Sequence, residues 1–200
     1  LTNTKNINQS LKSTHTLKKL KLYIATSLNG KIAKPDGSVE WLESIPNPEE
    51  TDHGYHAFYS SIDTTIQGYS TYDQIIQWGI DFPYADKKNY VLTRKQGLSN
   101  TDHVEFIANN PIETIKQLKK EEGKDIWLIG GGQINTFLFN ENLIDEIHVF
   151  VMPIVIPDGI SLFEGLPHEN NLTLIDTKTY ATGAVELKYT VGKIDKHDLH

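Results

Sequence analysis

The sequence predicts a three-layer α/β/α domain built on a mostly parallel β-sheet with an antiparallel C-terminal hairpin. Apolar, β-branched runs alternate along the chain with helical segments of about ten residues, which is the pattern that βαβ crossovers produce. Two late strand-like runs, LTLIDTKTYA and AVELKYTVG, flank Thr182 and Gly183 as the strands of a hairpin do. The 200 residues suit one domain, and the chain shows no internal repeat and no dividing linker.

Six strands are predicted before the hairpin because each run is rich in β-branched or aromatic residues and is bounded by turn residues. They lie at 20–27, 64–68, 88–93, 103–108, 125–129 and 144–156. Residues 28–42, which contain Asn-Gly and Pro-Asp-Gly, are predicted to form a long loop.

Four helices are predicted between these strands, at 48–62, 70–78, 111–123 and 133–142. The first opens with acids and then places aromatic and aliphatic side chains at three- and four-residue spacing. Ser70 is the predicted N-cap of the second. The third has Pro111 in its first turn and Gly123 after its last.

The domain is predicted to span residues 20–193. Residues 1–19 carry four lysines and no acid, and they are expected to form a mobile extension. A targeting leader is less favoured there, since the segment has no apolar core of signal-peptide length. Residues 194–200 are expected to form a tail.

Composition excludes several classes of function. A net charge of −7 argues against a nucleic-acid-binding protein. The sequence has no run of about eighteen apolar residues, so no membrane span is predicted. The absence of cysteine excludes disulfides and thiolate chemistry. It is compatible with the reducing cytoplasm, where the protein is expected to reside. His53 and His56 share a helix face, but no third ligand is evident, so no metal is expected.

The stretch IWLIGGGQIN, residues 126–135, places three glycines between a predicted strand and a predicted helix. Ligands of open α/β sheets bind at the carboxyl ends of strands, where a helix N-terminus offers N–H groups to an anion. A tight turn alone needs only one glycine, so three in a row favour ligand binding. The spacing matches neither G-x-G-x-x-G nor a Walker loop. The residues of this stretch therefore predict an anionic or dinucleotide ligand.

The same stretch resembles the C-terminal signature of the dihydrofolate reductase-like superfamily. It is most similar to the bacterial branch related to the reductase domain of riboflavin biosynthesis. Further matches occur in the same order along residues 20–191, in ATSLNGKIA, PDGSVEWL, GYSTYD and VLTRK. The resemblance implies an NADPH-dependent reductase that transfers hydride to a small heterocycle, such as a pterin- or ribosylaminopyrimidine-like substrate.

The resemblance also implies which residues hold the coenzyme. The nicotinamide wall would be formed by Ala25, Ile32, Gly130, Gly131 and Gly132. Backbone amides of Gln133 and Ile134 would face the pyrophosphate, and Gly68, Ser70 and Thr71 would receive phosphate from the other side. A cis peptide is expected at Gly130–Gly131 or Gly131–Gly132.

Departures from the family pattern affect coenzyme choice. Tyr69 stands where relatives place an Arg that would bind phosphate in a bidentate manner. Thr93, Arg94 and Lys95 occupy the family's other position for a 2′-phosphate and could compensate, although Lys-Arg pairs commonly form solvated turns. NADPH is therefore expected, with NADH as the alternative. Gly130 replaces a Glu of the riboflavin-pathway reductase, which argues against that enzyme itself.

The proton donor for hydride transfer is less well defined by the sequence. Asp52 and Glu40 are the candidate catalytic carboxyls, although an acid in the first turn of a helix also complements its dipole. Trp41 is a candidate roof for the substrate pocket, or a packing residue. A catalytically silent dinucleotide-binding module and a true dihydrofolate reductase are the alternative functions. The expected partners are a small-molecule substrate and a second copy in a homodimer, without nucleic acid or membrane.

Overall fold

The computed structural model of the chain describes residues 17–193. Within them, the strands are β1 (Leu20–Ser27), β2 (Lys31–Ala33), β3 (Ile62–Gly68), β4 (Lys88–Leu92), β5 (Val104–Ile107), β6 (Asp125–Gly130), β7 (Glu146–Met152), β8 (Ile160–Ser161), β9 (Leu172–Thr179) and β10 (Val185–Val191). The α-helices are α1 (Tyr55–Ser60), α2 (Tyr69–Gln77), α3 (Pro111–Leu118) and α4 (Gly132–Asn140). A single 3₁₀ turn covers Glu40–Leu42.

Eight strands form one sheet in the order β5-β4-β3-β6-β1-β7-β10-β9. Neighbours from β5 to β7 are parallel, whereas β10 is antiparallel to both β7 and β9. Parallel strands end at the same edge of a sheet, so Gly68, Gly130 and Ser27 terminate three adjacent strands side by side. The mostly parallel sheet with an antiparallel C-terminal hairpin is therefore confirmed.

Helices cover both faces of the sheet. On one face, α3 and α4 bury a large aliphatic cluster that includes Leu22 of β1 and Leu128 of β6. On the other face, Phe58 of α1 stacks on Tyr23 with the ring centroids 3.9 Å apart, and it packs edge-on against Trp127. Because side chains alternate between the two faces along a strand, these neighbouring positions confirm the three layers.

The predicted start of the first helix was wrong. The segment from residue 48 does not become helical until Tyr55, because Glu50 and His53 have φ values of 49° and 52° and the N-cap Gly54 has a φ of 82°. Backbone in the left-handed region interrupts an α-helix. The acids before Tyr55 belong to a loop, although they mimic the composition of a first helical turn.

Two further local predictions were wrong. The N-cap of α2 is Gly68 in an extended conformation, and Ser70 lies inside the helix. The predicted loop at 28–42 contains β2, which pairs with β8 in a small two-stranded sheet.

The C-terminal hairpin turns where the sequence predicts. The Tyr180 N–H donates to the Ala184 carbonyl at 3.0 Å, and Gly183 has a φ of 83°. All eight residues of β9 are exposed at the edge of the sheet, including Leu172, Leu174 and Ile175. The homodimer expected from this hairpin stays a prediction.

The folded unit begins before the predicted boundary at residue 20. Lys18 is buried, its N–H donates to the Lys119 carbonyl at 2.8 Å, and its ammonium pairs with Asp63 at 2.7 Å. Most of the predicted extension and the predicted tail at 194–200 lie outside the described residues. Of the helices in residues 17–193, none is long and apolar enough to cross a bilayer.

Candidate functional site

Two helix N-termini lie next to each other at the carboxyl edge of the sheet. Helix α2 starts directly after β3, and α4 starts one residue after the neighbouring strand β6. A Cβ added to Gly68 would lie 2.8 Å from Cγ1 of Ile134, and one added to Gly131 would lie 3.4 Å from Oγ1 of Thr71. The two turns therefore touch, and they bring Gly68, Thr71, Gly131 and Ile134 together.

The three glycines of the turn are required for different reasons. Gly130 has a φ of 116°, a value that side-chain-bearing residues rarely adopt. At Gly132 a Cβ would lie 2.3 Å from the Ser161 carbonyl oxygen, so the chain itself fills that space. At Gly131 the missing Cβ leaves open space beside the main chain. Among residues 17–193, a Cβ there would have one close neighbour, Oγ1 of Thr71 at 3.4 Å.

The contact with Ser161 of β8 accounts for the missing Cβ of Gly132, and the role of the three glycines as a surface for the coenzyme stays a prediction. The expected cis peptide is confirmed, and it lies between Gly130 and Gly131.

The first-turn amides of both helices are available to an anion. Neither α2 nor α4 has a side-chain N-cap, and the first N–H groups of an α-helix have no partner within the helix. The start of α2, at Tyr69, Ser70 and Thr71, is next to the start of α4, at Gln133 and Ile134, because Gly68 contacts the Ile134 side chain and Gly131 contacts that of Thr71. Two adjacent positive helix ends make a site for a phosphate or pyrophosphate group.

Cations from the end of β4 flank these helix starts. Arg94, which is the single arginine of the 200 residues, lines a cavity of about 570 Å³ together with Gln133. Lys95 lines a second cavity of about 340 Å³. The Lys95 N–H donates to Oγ1 of Thr93 at 3.0 Å, which fixes the turn that carries both cations. The three residues therefore lie at the carboxyl edge of the sheet, as predicted.

Ala25 and Ile32 lie on the β1 side of the glycine turn. Ala25 is partly buried near the end of β1, and Ile32 is buried on β2. The pairing of β2 with β8 places Ser161 against Gly132, and the Leu162 N–H donates to the Gly30 carbonyl at 2.9 Å. The small sheet thereby connects the segment after β1 to the start of α4.

Trp41 packs in the core and does not roof an open pocket. Its side chain is 4% exposed and belongs to a cluster with Phe150, Met152 and Ile156 at the end of β7. Its indole Nε1 is buried and has no hydrogen-bond partner among residues 17–193. A buried indole N–H usually finds an acceptor. Ala25 packs against the same cluster.

The two candidate carboxyls have different surroundings. Asp52 is exposed, and it accepts hydrogen bonds from the backbone N–H groups of His56 at 2.9 Å and Gly54 at 2.8 Å. These bonds hold the pKa of the Asp52 carboxyl below its usual value. Asp52 therefore caps α1 as an ionised group and is poorly suited to donate a proton near neutral pH. Glu40 is exposed in the 3₁₀ turn.

A polar network holds the loop that carries Asp52. The Tyr180 hydroxyl is 3.0 Å from the His53 carbonyl and 2.8 Å from Oε2 of Glu186. His53 Nε2 lies 2.9 Å from Oγ1 of Thr182 at the hairpin turn. Burial lowers the pKa of His53 and raises that of Tyr180, so both are neutral near pH 7. His53 is thus a tether between the loop and the hairpin.

Residues 17–193 contain no cluster of three or more metal-ligating side chains.

Sequence reasoning missed Gln67. It is fully buried in β3 opposite Gly130. Its amide nitrogen and its amide oxygen both lack a hydrogen-bond partner in the described part of the chain. The signal was available, since TTIQG places one amide side chain at the end of a buried strand directly before a glycine.

A family model described as the RibD C-terminal domain matches residues 83–185, which include the cationic turn after β4, the glycine turn and α4. The chain belongs to this family.

Similar proteins agree with membership of the RibD C-terminal domain family. The uncharacterized protein YwjB of Bacillus subtilis (strain 168) is 41% identical over 172 residues, which cover 86% of this chain and 97% of YwjB. A solved Shewanella sp. PV-4 protein assigned to riboflavin biosynthesis is 28% identical with a TM-score of 0.77, over 88% of this chain and 99% of that one.

The fold recurs in a bifunctional Thermotoga maritima protein. It is a diaminohydroxyphosphoribosylaminopyrimidine deaminase/5-amino-6-(5-phosphoribosylamino)uracil reductase, with a TM-score of 0.67 and 14% identity. The match covers 88% of this chain and 57% of that one.

Proposed function

We propose that the protein is an NADPH-dependent reductase that delivers hydride to a small heterocycle of the pterin or ribosylaminopyrimidine type. Membership of the RibD C-terminal domain family supports reductase chemistry. The observation that carries the coenzyme assignment is the pair of uncapped helix N-termini in contact through Gly68 and Gly131.

The residues present fit a dinucleotide. First-turn amides on α2 and α4 supply two rows of donors, as the two phosphates of a pyrophosphate require. The space beside Gly131 lets a ligand approach the main chain between the two rows. Arg94 offers a planar guanidinium at the rim, and this group is suited to binding a phosphomonoester in a bidentate manner. A 2′-phosphate would provide such a group, which favours NADPH over NADH.

The coenzyme would supply hydride, and the protein would supply binding, orientation and exclusion of water. Ala25, Ile32 and Gly131 would border the nicotinamide ring on the β1 side of the turn. The proton that hydride transfer to a C=N bond requires would come from water, because the exposed Asp52 carboxyl is held in its ionised form.

The Thermotoga maritima protein is a 5-amino-6-(5-phosphoribosylamino)uracil reductase, and this activity supports a ribosylaminopyrimidine as the class of substrate here. The ring of a pterin or pyrimidine is flat, which suits stacking against a nicotinamide.

The test separates binding from turnover. Calorimetric titration with NADPH measures coenzyme affinity, and the absorbance of reduced nicotinamide measures oxidation in the presence of pterin, pyrimidine and quinoid substrates. We expect NADPH binding and steady oxidation with at least one flat heterocycle. Binding without oxidation across the panel would instead favour the silent dinucleotide-binding module. The absence of NADPH binding would refute both.

A further inference from the structure

We infer that Tyr69 is a positioning residue that holds Lys95 beside the start of α2, where Lys95 and Arg94 together select a phosphomonoester on the ribose of the coenzyme. This inference rests on the proposed function and deepens it. It assigns to a tyrosine and a lysine the role for which the sequence lacks an arginine at position 69.

The contact between the two side chains is direct. Nζ of Lys95 lies 3.7 Å from the centroid of the Tyr69 ring, which is a cation–π contact. Tyr69 is the first residue of α2, so the ammonium lies beside a helix start that has no side-chain cap. The lysine and the positive end of the helix would thus face the same anion.

The Tyr69 ring is itself held by aromatic neighbours. Its centroid lies 6.1 Å from that of Tyr72 and 6.4 Å from that of Phe106, and these two rings meet edge-on at 5.3 Å. Phe106 belongs to β5 and also lines the cavity that Lys95 lines. The ring is therefore a fixed platform, and a lysine on a fixed platform loses less conformational freedom when it binds an anion.

The two cations are not committed to carboxylates. Most of the lysines between residues 17 and 193 form ion pairs, as Lys119 does with Asp145 and Lys188 does with Asp176. Within the same residues, neither Arg94 nor Lys95 lies within 4.0 Å of an acid oxygen. Glu105 lines the Lys95 cavity without pairing with the ammonium. In a chain with a net charge of −7, two adjacent unpaired cations are suited to an external anion.

The turn at the end of β4 places the side chains of Arg94 and Lys95 in two different cavities. The bond from the Lys95 N–H to Thr93 Oγ1 closes a short turn at the end of β4. Arg94 lines the cavity beside α4, whereas Lys95 lines the cavity beside α3 and β5. A phosphomonoester between these cavities would meet a guanidinium on one side and an ammonium on the other.

The experiment compares the dissociation constants of NADPH and NADH, which differ by the 2′-phosphate alone. The variants are Lys95→Met, Tyr69→Leu and the combination of the two, with Tyr69→Phe to keep the ring and remove the hydroxyl. Lys178→Met is the matched control, because Lys178 lies over Tyr180 at 4.6 Å on the opposite edge of the sheet.

We expect Lys95→Met to weaken NADPH by about tenfold, the effect of one charge-assisted hydrogen bond, and to leave NADH within about twofold. Tyr69→Leu alone should also reduce the preference for NADPH over NADH. In the double variant, Tyr69→Leu should cause no loss of preference beyond that of Lys95→Met alone. Tyr69→Phe and Lys178→Met should keep the preference.

Three outcomes would overturn the inference while leaving the proposed function intact. They are an unchanged NADPH preference in Lys95→Met, a loss in Tyr69→Phe as large as in Tyr69→Leu, and fully additive losses in the double variant. If the unmodified chain binds neither dinucleotide, the proposed function itself is refuted. Circular dichroism of each variant shows whether Tyr69→Leu is folded. If Tyr69→Leu does not fold, Lys95→Met still tests the inference, because Lys95 is exposed.

Discussion

Replacement of Gln67 by Met should stabilise the protein. The side chain is 0% exposed, and within residues 17–193 neither its amide nitrogen nor its amide oxygen has a hydrogen-bond partner. A buried polar group without a hydrogen bond costs about 1–3 kcal/mol. Met has the same unbranched length and adapts to the same space, so Gln67→Met should raise the free energy of unfolding by about 1–3 kcal/mol. For a chain of this size, each kcal/mol corresponds to roughly 2–4 °C in Tm.

Thermal and urea unfolding followed by circular dichroism measure this change. Gln77→Met is the control, since Gln77 is exposed on α2 and donates to Asp73 at 2.8 Å. We expect the control to change stability by less than about 0.5 kcal/mol. A loss of about 1 kcal/mol or more in Gln67→Met would refute the reasoning, because it would show that the amide is satisfied by ordered water.

Three further variants test the site and the fold. Arg94→Ala should weaken NADPH by about 1.5–3 kcal/mol and leave NADH within about twofold in calorimetry; equal losses would remove Arg94 from the phosphate site. Gly132→Ala should lower the free energy of unfolding in urea by at least about 1–3 kcal/mol, because its Cβ would lie 2.3 Å from the Ser161 carbonyl oxygen; unchanged stability would contradict this packing. The hydrogen bond from His148 and the nearby lysines lower the pKa of Glu146 from 4.5 to about 2. Its contribution should therefore be complete above about pH 4.5 and disappear as the pH falls towards 2. Glu146→Gln should cost up to about 3 kcal/mol at pH 7, and a constant difference from pH 7 to 2 would refute the pKa assignment.

The sequence predicted the features that depend on local patterns. Alternating strands and helices determined the three layers, and the glycines after β6 marked the edge at which α2 and α4 begin. The turn at Thr182 and Gly183 followed from a glycine between two β-branched runs. Each of these signals lies within about ten residues of the feature that it predicts.

The features that the sequence did not predict depend on distant contacts. Gly132 is a glycine because of Ser161, which lies on β8, and a strand of two residues has no periodicity to detect. Lys95 meets Tyr69 through the pairing of β3 with β4, which brings their ends together. The start of α1 was misplaced because the acids before Tyr55 resemble a first helical turn, whereas Asp52 caps the helix from a loop.

Trp41 shows the same limit for the candidate site. Its position in a glycine- and proline-rich segment suggested a cover over the substrate, but the contacts that bury it come from the end of β7. Gln67 could have been found from its place in the stretch TTIQG, since an amide in a buried strand needs a partner. That the Gln67 amide has no hydrogen-bond partner among residues 17–193 is seen only in the assembled sheet.

A crystal structure of the chain with NADPH tests the central claim most directly. We predict that the pyrophosphate oxygens lie within hydrogen-bond distance of the first-turn amides of α2 and α4, with the main chain of Gly131 against the coenzyme. NADPH bound at another surface, or a pyrophosphate in solvent away from both helix starts, would contradict the account.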